Sequence, residues 1–167
     1  TKPGDYFRAI ARLIQQAAEA LEHADQFGII HRDVKPANLL IGLHGRLWVT
    51  DFGLAQMQTG TELTQTGDLL GTLRYMSPEQ TSGERSLLDH RTDIYSRGAT
   101  LYELTTLRPI FDGRNRQDLL YQILHEEPKA PRSIDHTIPI ELETILLKAI
   151  NKNATERYAT AKEMAAD

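Results

Sequence analysis

The sequence predicts a mainly α-helical domain with one small β-hairpin, and three observations carry that reading. Apolar residues recur at three- and four-residue spacing in four separate segments. Two short apolar runs flank a turn bracketed by Gly42 and Gly45. Hydrophobic residues make up 40% and charged residues 25% of 167 residues, a globular composition of one-domain size. The same composition removes several function classes. A net charge of −4 argues against a nucleic-acid binder, which needs cations for phosphate contacts. The absence of cysteine excludes a disulfide scaffold, a thiolate zinc site and a cysteine nucleophile. No apolar run reaches the roughly 18 residues that span a bilayer, and no signal-peptide pattern opens the chain. A cytoplasmic domain is the expectation.

The first helix is predicted from Asp5 to Phe27, where Phe7, Ile10, Ala11, Ile14, Ala17, Ala18, Leu21 and Ala24 share one face. Pro3 and Asp5 suit its start, and Gly28 suits a left-handed stop. Short apolar runs follow at Ile29-Ile30, Leu39-Leu40-Ile41 and Leu47-Trp48-Val49, the last two forming the hairpin. From Asp51 to Gly71 periodicity disappears and Gly and Thr are frequent, so a long loop is predicted; such loops inside a domain are usually functional. Helices are predicted again over Thr92–Thr106, Asn115–His125 and Pro139–Ile150, with a last start near Thr160. Arg108-Pro109 and the stretch Pro128 to Pro139 read as connectors.

The chemistry concentrates in HRDVKPANLL, His31 to Leu40, which places Asp33, Lys35 and Asn38 in one short loop. Phosphoryl transfer needs a carboxylate to orient a hydroxyl, a cation near the moving group and an oxygen ligand for magnesium. Those three residues can supply the three parts. Asp51-Phe52-Gly53 follows immediately after a predicted strand, where a carboxylate can hold a hard cation and the glycine permits a sharp turn. Taken singly, Asp33 reads as a turn residue, Lys35 as a solvated charge and Asn38 as a turn former. Together, His31, Arg32, Asp33 and Asn38 recur by chance at on the order of one in 10⁵ positions.

This set resembles the C-terminal, large lobe of a eukaryotic-like serine/threonine protein kinase of bacterial type, over essentially the whole chain, 1–167. The resemblance implies Asp33 as catalytic base, Lys35 as the phosphate-side lysine, and Asn38 and Asp51 as ligands of magnesium, with manganese as an alternative ion. It implies that His31 and Phe52 stack in the core column of active kinases, and that Leu39, Leu40 and Ile41 floor the adenine pocket of ATP. GTLRYMSPEQ, Gly71 to Gln80, resembles the substrate-docking end of an activation segment, with Ser77-Pro78-Glu79 where the family usually has Ala-Pro-Glu. Asp93 and Gly98 resemble the start of the buried central helix, whose Asp accepts hydrogen bonds from the catalytic-loop backbone. Arg157 resembles the late arginine that pairs with Glu79. Arg97 departs from the family, which usually carries an apolar residue there; either it snorkels toward solvent or it weakens packing just behind the catalytic loop. Arg32 precedes the base, as in kinases whose activation loop is ordered by a phosphate. Thr64 and Thr66 are accordingly the expected phosphorylation sites, and Thr72 is expected against Asp33 and Lys35.

No G-x-G occurs among the 11 glycines, and no lysine has Ala two residues before it. The glycine-rich lid and strand lysine of the small lobe are therefore missing, and the chain is expected to be truncated at both ends. The resulting expectation is part of a kinase that phosphorylates protein serines and threonines with ATP once completed by its small lobe, and is inactive as this piece. The alternative is a non-catalytic kinase-like interaction module. The resemblance also brings self-association for trans-autophosphorylation, and a membrane tether elsewhere in the full-length protein, as expectations.

Overall fold

Helix α4 (Arg91–Thr106) is the element around which the others assemble, and it is buried on nearly every side. The computed structural model describes residues 3–52, 66–83 and 88–167. Burial all round explains why α4 lacks a polar face: Ile94, Tyr95, Leu101 and Tyr102 alternate with Thr92, Ser96 and Thr100, all inside. Its hydroxyls satisfy themselves on the helix, Ser96 Oγ donating to the Thr92 carbonyl and Thr100 Oγ1 to that of Ser96. Gly98 lets α7 (Ile140–Ala149) approach, since a Cβ there would lie 2.7 Å from Ile150 Cγ2 and 2.8 Å from Ala149 Cβ.

Helix α1 (Pro3–Asp25) buries Phe7, Ile10, Ile14, Ala17, Ala18 and Leu21 against α4 and against α8 (Ala161–Ala166). It stops two residues earlier than its periodicity predicts, and Gly28 takes φ +71° in the turn that follows. The hairpin pairs β1 (Leu39–Ile41) with β2 (Leu47–Val49), antiparallel and in the register Leu40 opposite Trp48. Ile29-Ile30 forms no strand. Helix α5 (Arg116–His125) is capped by Asn115, whose side chain accepts from the Asp118 amide.

Three short helices lie where the sequence predicts only loop or connector. Helix α2 (Thr66–Leu73) occupies the end of the predicted Asp51–Gly71 loop. Its two glycines and three threonines or aspartates hide the pattern, and tertiary contact outweighs propensity. Helix α3 (Pro78–Ser82) is started by Ser77 and Pro78, and Gly83 ends it at φ +77°. Helix α6 (Pro131–Ile134) begins with a proline inside the Pro128–Pro139 connector. Among the described residues no helix is long and apolar enough to cross a membrane.

Candidate active site

The segment joining α1 to the hairpin is held in a shape it would not adopt alone. Arg32 has φ +65°, a left-handed conformation that costs a side-chain-bearing residue roughly 1–3 kcal/mol. The Asp93 carboxylate, rising from the first turn of α4, offsets that cost. Its Oδ2 accepts from the His31 amide and its Oδ1 from the Arg32 amide, both at 2.7 Å. Burial pushes the Asp93 pKa up, opposed by those two amides and by the Arg97 charge.

His31 is fully buried and braces the loop from the other side. Its Nε2 lies 2.8 Å from the Thr50 carbonyl, which can only accept, so Nε2 carries the proton. Nδ1 is then free to accept from the Asp33 amide at 3.3 Å. The Phe52 ring meets the His31 ring edge-on, centroids 4.6 Å apart.

Two side chains converge on Asp33, and a third, Thr72, joins through Lys35. Lys35 Nζ lies 3.0 Å from Asp33 Oδ2 and donates to Thr72 Oγ1 at 2.8 Å. Asn38 Nδ2 donates to the Asp33 carbonyl at 2.8 Å and to Asp33 Oδ2 at 3.1 Å. Both partners of that nitrogen are oxygens, which fixes the amide orientation and leaves Asn38 Oδ1 without a hydrogen-bond partner among the described residues. Among the described residues only Oδ2 of Asp33 is engaged, and Oδ1 has no hydrogen-bond partner. Asn38 is buried, yet β2 reaches it: the Thr50 amide donates to the Asn38 carbonyl at 3.0 Å. Asp51 follows directly, exposed, at φ +62°, its Oδ2 3.4 Å from Thr50 Oγ1.

Two hard oxygen ligands, Asn38 Oδ1 and the Asp51 carboxylate, are the right chemistry for magnesium. That ion typically takes one or two protein carboxylates and completes its shell with water and phosphate oxygens. Among the described residues no cluster of three or more His, Asp or Glu is present. Two oxygen donors alone would leave most of such an ion's shell to water or phosphate oxygens.

Beside this group the hairpin exposes apolar side chains, Leu40 and Trp48 on one face and Ile41 on the other. Leu40 is 53% and Ile41 60% exposed, and Trp48, paired across from Leu40, is 54% exposed. These are not core positions in this chain, whereas Leu39 is half-buried.

Glu79 and Arg157 form a second, separate constellation. Arg157 Nη1 and Nη2 bind the two Glu79 oxygens at 2.6 and 2.8 Å. Its remaining donors reach the carbonyls of Arg91, Asn151 and Lys152, so all five N–H groups are used. Burial raises the Glu79 carboxyl, but the Arg157 hydrogen bonds and charge reverse that and leave it below its ordinary value. Thr92 Oγ1 adds a third donor to Glu79 at 3.0 Å.

Gln80 connects the two constellations, and the sequence reading passes over it. Its Oε1 accepts from the Ser77 amide at 2.9 Å, while its Nε2 donates to the Arg32 carbonyl at 2.9 Å. Ser-x-x-Gln is a capping-box pattern, which was a legible signal. Of the two alternatives for Arg97, snorkelling is overturned. Its side chain is 1% exposed and runs back along α4, Nε donating to the Asp93 carbonyl at 3.1 Å. Helices α1 and α8 close over it, so solvent is out of reach. Gly53 and Thr64 lie outside the described residues, and Thr66 is described by its backbone alone, at the first position of α2.

Residues 7–167 match the model of the protein kinase domain. The chain is 44% identical over 151 residues to a probable serine/threonine-protein kinase, SCO3848, of Streptomyces coelicolor, covering 89% of this chain and 22% of that protein. It is 43% identical over 162 residues to the serine/threonine-protein kinase PknB of Mycolicibacterium smegmatis, covering 96% and 26%. PknB of Mycobacterium tuberculosis is likewise 43% identical over 162 residues, with 96% and 25% covered. The chain thus spans about a quarter of the length of these curated relatives. With a loop pinned by a buried aspartate, a base-like carboxylate flanked by Lys35 and Asn38, and this match over nearly all its residues, the chain belongs to the protein kinase domain family.

Proposed function

We propose that residues 1–167 form the large lobe of a protein kinase that transfers the ATP γ-phosphate to serine and threonine hydroxyls of proteins. A small lobe supplied by the full-length protein completes the site. The observation that carries this reading is Lys35, which bridges Asp33 and Thr72 while Asn38 holds the same carboxylate. A merely structural loop has no use for a carboxylate with one oxygen braced by two donors and the other without a partner among the described residues. Relatives named serine/threonine-protein kinase support the same substrate class.

In this reading Asp33 Oδ1 orients the substrate hydroxyl and takes its proton as the bond to phosphorus forms. Lys35 sits beside Asp33, its charge directed at the phosphoryl group in flight. Asn38 Oδ1 and Asp51 would hold magnesium, or manganese. When bound, the ion would supply neutralisation of the charge on the nucleotide phosphates. Leu40, with Leu39 and Ile41 beside it, floors the adenine. His31 and Phe52 keep the loop and Asp51 in one rigid column. Asp93 fixes the loop backbone, and Glu79 with Arg157 anchors the docking segment.

The segment between Gly53 and Ser77 is proposed as the switch, with Thr64 and Thr66 the phosphorylated residues. Arg32 supports this reading, because its buried Nε has no partner among the described residues and an adjacent phosphate would supply acceptor oxygens. Self-association for phosphorylation in trans, and a cytoplasmic location with a membrane tether elsewhere in the protein, belong to the same proposal. The test is transfer of label from ATP to protein substrate by the full-length protein and by residues 1–167 alone. The full-length protein is expected to transfer and the piece to fail, because half of the positioning groups are then absent. A full-length protein without transfer would mean a non-catalytic interaction module. Mass spectrometry after incubation with ATP should find phosphate at Thr64 or Thr66, and alanine at both should lower activity.

A further inference from the structure

Arg157 and Arg97 are both buried, but the fold treats them oppositely. Arg157 has all five donors placed on named acceptors. Arg97 has Nε on the Asp93 carbonyl and a buried Nη1 with no partner among the described residues. Burying a guanidinium so incompletely paired is costly, and a leucine or methionine would fill the volume without that cost. The cation must therefore serve something a hydrocarbon cannot.

Its surroundings say what. A cavity of about 10 Å³ lies where α1, the start of α4 and the start of α8 meet, lined by Leu21, Asp25, His90, Asp93, Arg97 and Ala161. That is room for a single water with polar partners on several sides. The Arg97 charge is favoured by Asp93 on its own helix and by Glu22 and Asp25 on α1, while burial pushes its pKa down only to about 10. It stays charged at neutral pH. Asp93 carries the catalytic-loop backbone on both of its oxygens, and a neutral carboxyl would hold two amides less strongly than a carboxylate.

We propose that Arg97 is a positioning residue: its charge, relayed by a water in this cavity, keeps the Asp93 carboxylate clamped on the His31 and Arg32 amides and so fixes the backbone that carries Asp33. The consequence for catalysis rests on the kinase reading above; the effect on the two amides does not.

The experiment measures amide hydrogen exchange at His31 and Arg32 in the full-length protein and in its Arg97→Met and Arg97→Lys variants. Methionine keeps the volume and removes the charge; lysine keeps the charge. Protection at both amides should fall by about tenfold in Arg97→Met, while the amides of α7 keep theirs. Arg97→Lys should restore most of it. Where the parent transfers phosphate, Arg97→Met should lower kcat with little change in the KM for ATP. Unchanged protection at His31 and Arg32 in Arg97→Met overturns the proposal, as does a lysine variant as weakly protected as the methionine one. If Arg97→Met does not fold, Arg97→Lys against the parent decides: protection retained supports the charge, protection lost overturns it. A parent that protects both amides yet transfers no phosphate leaves this inference standing and sinks the kinase reading.

Discussion

The helical body around α4 and the hairpin end invert the usual relation between polarity and burial. In the body, charged and hydroxyl side chains are inside: Glu79, Thr92, Asp93, Arg97, Thr100 and Arg157 are all buried. At the hairpin, large apolar side chains are outside: Leu40, Ile41, Leu43 and Trp48 are each more than half exposed. Exposed leucines singly need no explanation, but neighbouring ones on a three-residue strand do. The body buries polar groups because they hold the segments that must keep one shape, the loop at His31–Asp33 and the docking segment at Ser77–Gln80. In the proposed reading the hairpin leaves apolar groups bare for the nucleotide and the rest of the domain. Stability would then reside in one region and ligand binding in the other, and substitutions should separate them.

The sharpest separation is expected at Asp33. Asp33→Asn in the full-length protein keeps the shape and the contacts to Asn38 but removes the proton acceptor, so transfer should fall by about 10²–10⁴-fold. The urea midpoint should barely move. Near-normal transfer by a folded variant would remove Asp33 from the role of base. Asp51→Asn should instead raise the KM for magnesium-ATP, because Asn38 is neutral and Asp51 carries all the formal charge that this pair of ligands would offer a metal.

The body should respond in the opposite sense. Glu79→Ala leaves Arg157 buried without its carboxylate and should cost about 3–5 kcal/mol in denaturant unfolding. The pair also fixes a pH dependence. Glu79 lies below its ordinary value of 4.5 when folded, so its contribution is complete above that value and is lost as pH falls through the lower, folded one. Acid unfolding of the parent should show this loss below about pH 4.5, and a Glu79→Gln variant should show a shallower acid limb. A smaller effect in the same region is expected at Gly98, where an added Cβ meets Ile150 and Ala149 below contact distance. Gly98→Ala should cost about 1–3 kcal/mol, read from the same unfolding curves.

How much of this was legible in the sequence differs between the two regions. The helices of the body announce themselves by spacing, as α1 does through Phe7, Ile10, Ile14 and Leu21. The hairpin is legible from Gly42 and Gly45. Short helices are not: α2 and α6 are too brief for periodicity, and only contact with α5 and α4 or α7 makes them worthwhile. In the site, Asp33, Lys35, Asn38 and Asp51 stand out because the pattern is rare. Gln80 is invisible as a link, since its contact to the Arg32 carbonyl spans 48 positions and depends on how α3 docks. Arg97 misleads because a long cation is normally assumed to find water, and only the closure of α1 and α8 over α4 denies it that route. Exposure at Leu40 is likewise a tertiary fact; strand pattern alone reads as core.

The smallest expected effect sits at that leucine and tests the contrast from the hairpin side. Leu40 faces the same side of the sheet as Trp48 and has more than half its surface free. Replacing it by serine removes little area that folding buries in this chain, so unfolding should shift by no more than about 0.5 kcal/mol. In the full-length protein the lost surface would be that covered by adenine. At about 25 cal/mol per Å², a few tens of Å² come to roughly 1 kcal/mol, or about a fivefold rise in the KM for ATP. The KM for the protein substrate should stay put, because in the proposed reading the substrate docks on Gly71–Gln80, away from the hairpin. A Leu40→Ser variant that unfolds as readily as Gly98→Ala would make Leu40 part of the core after all. One that is stable and binds ATP normally would leave the adenine floor to other residues and the exposed hairpin face to a different partner.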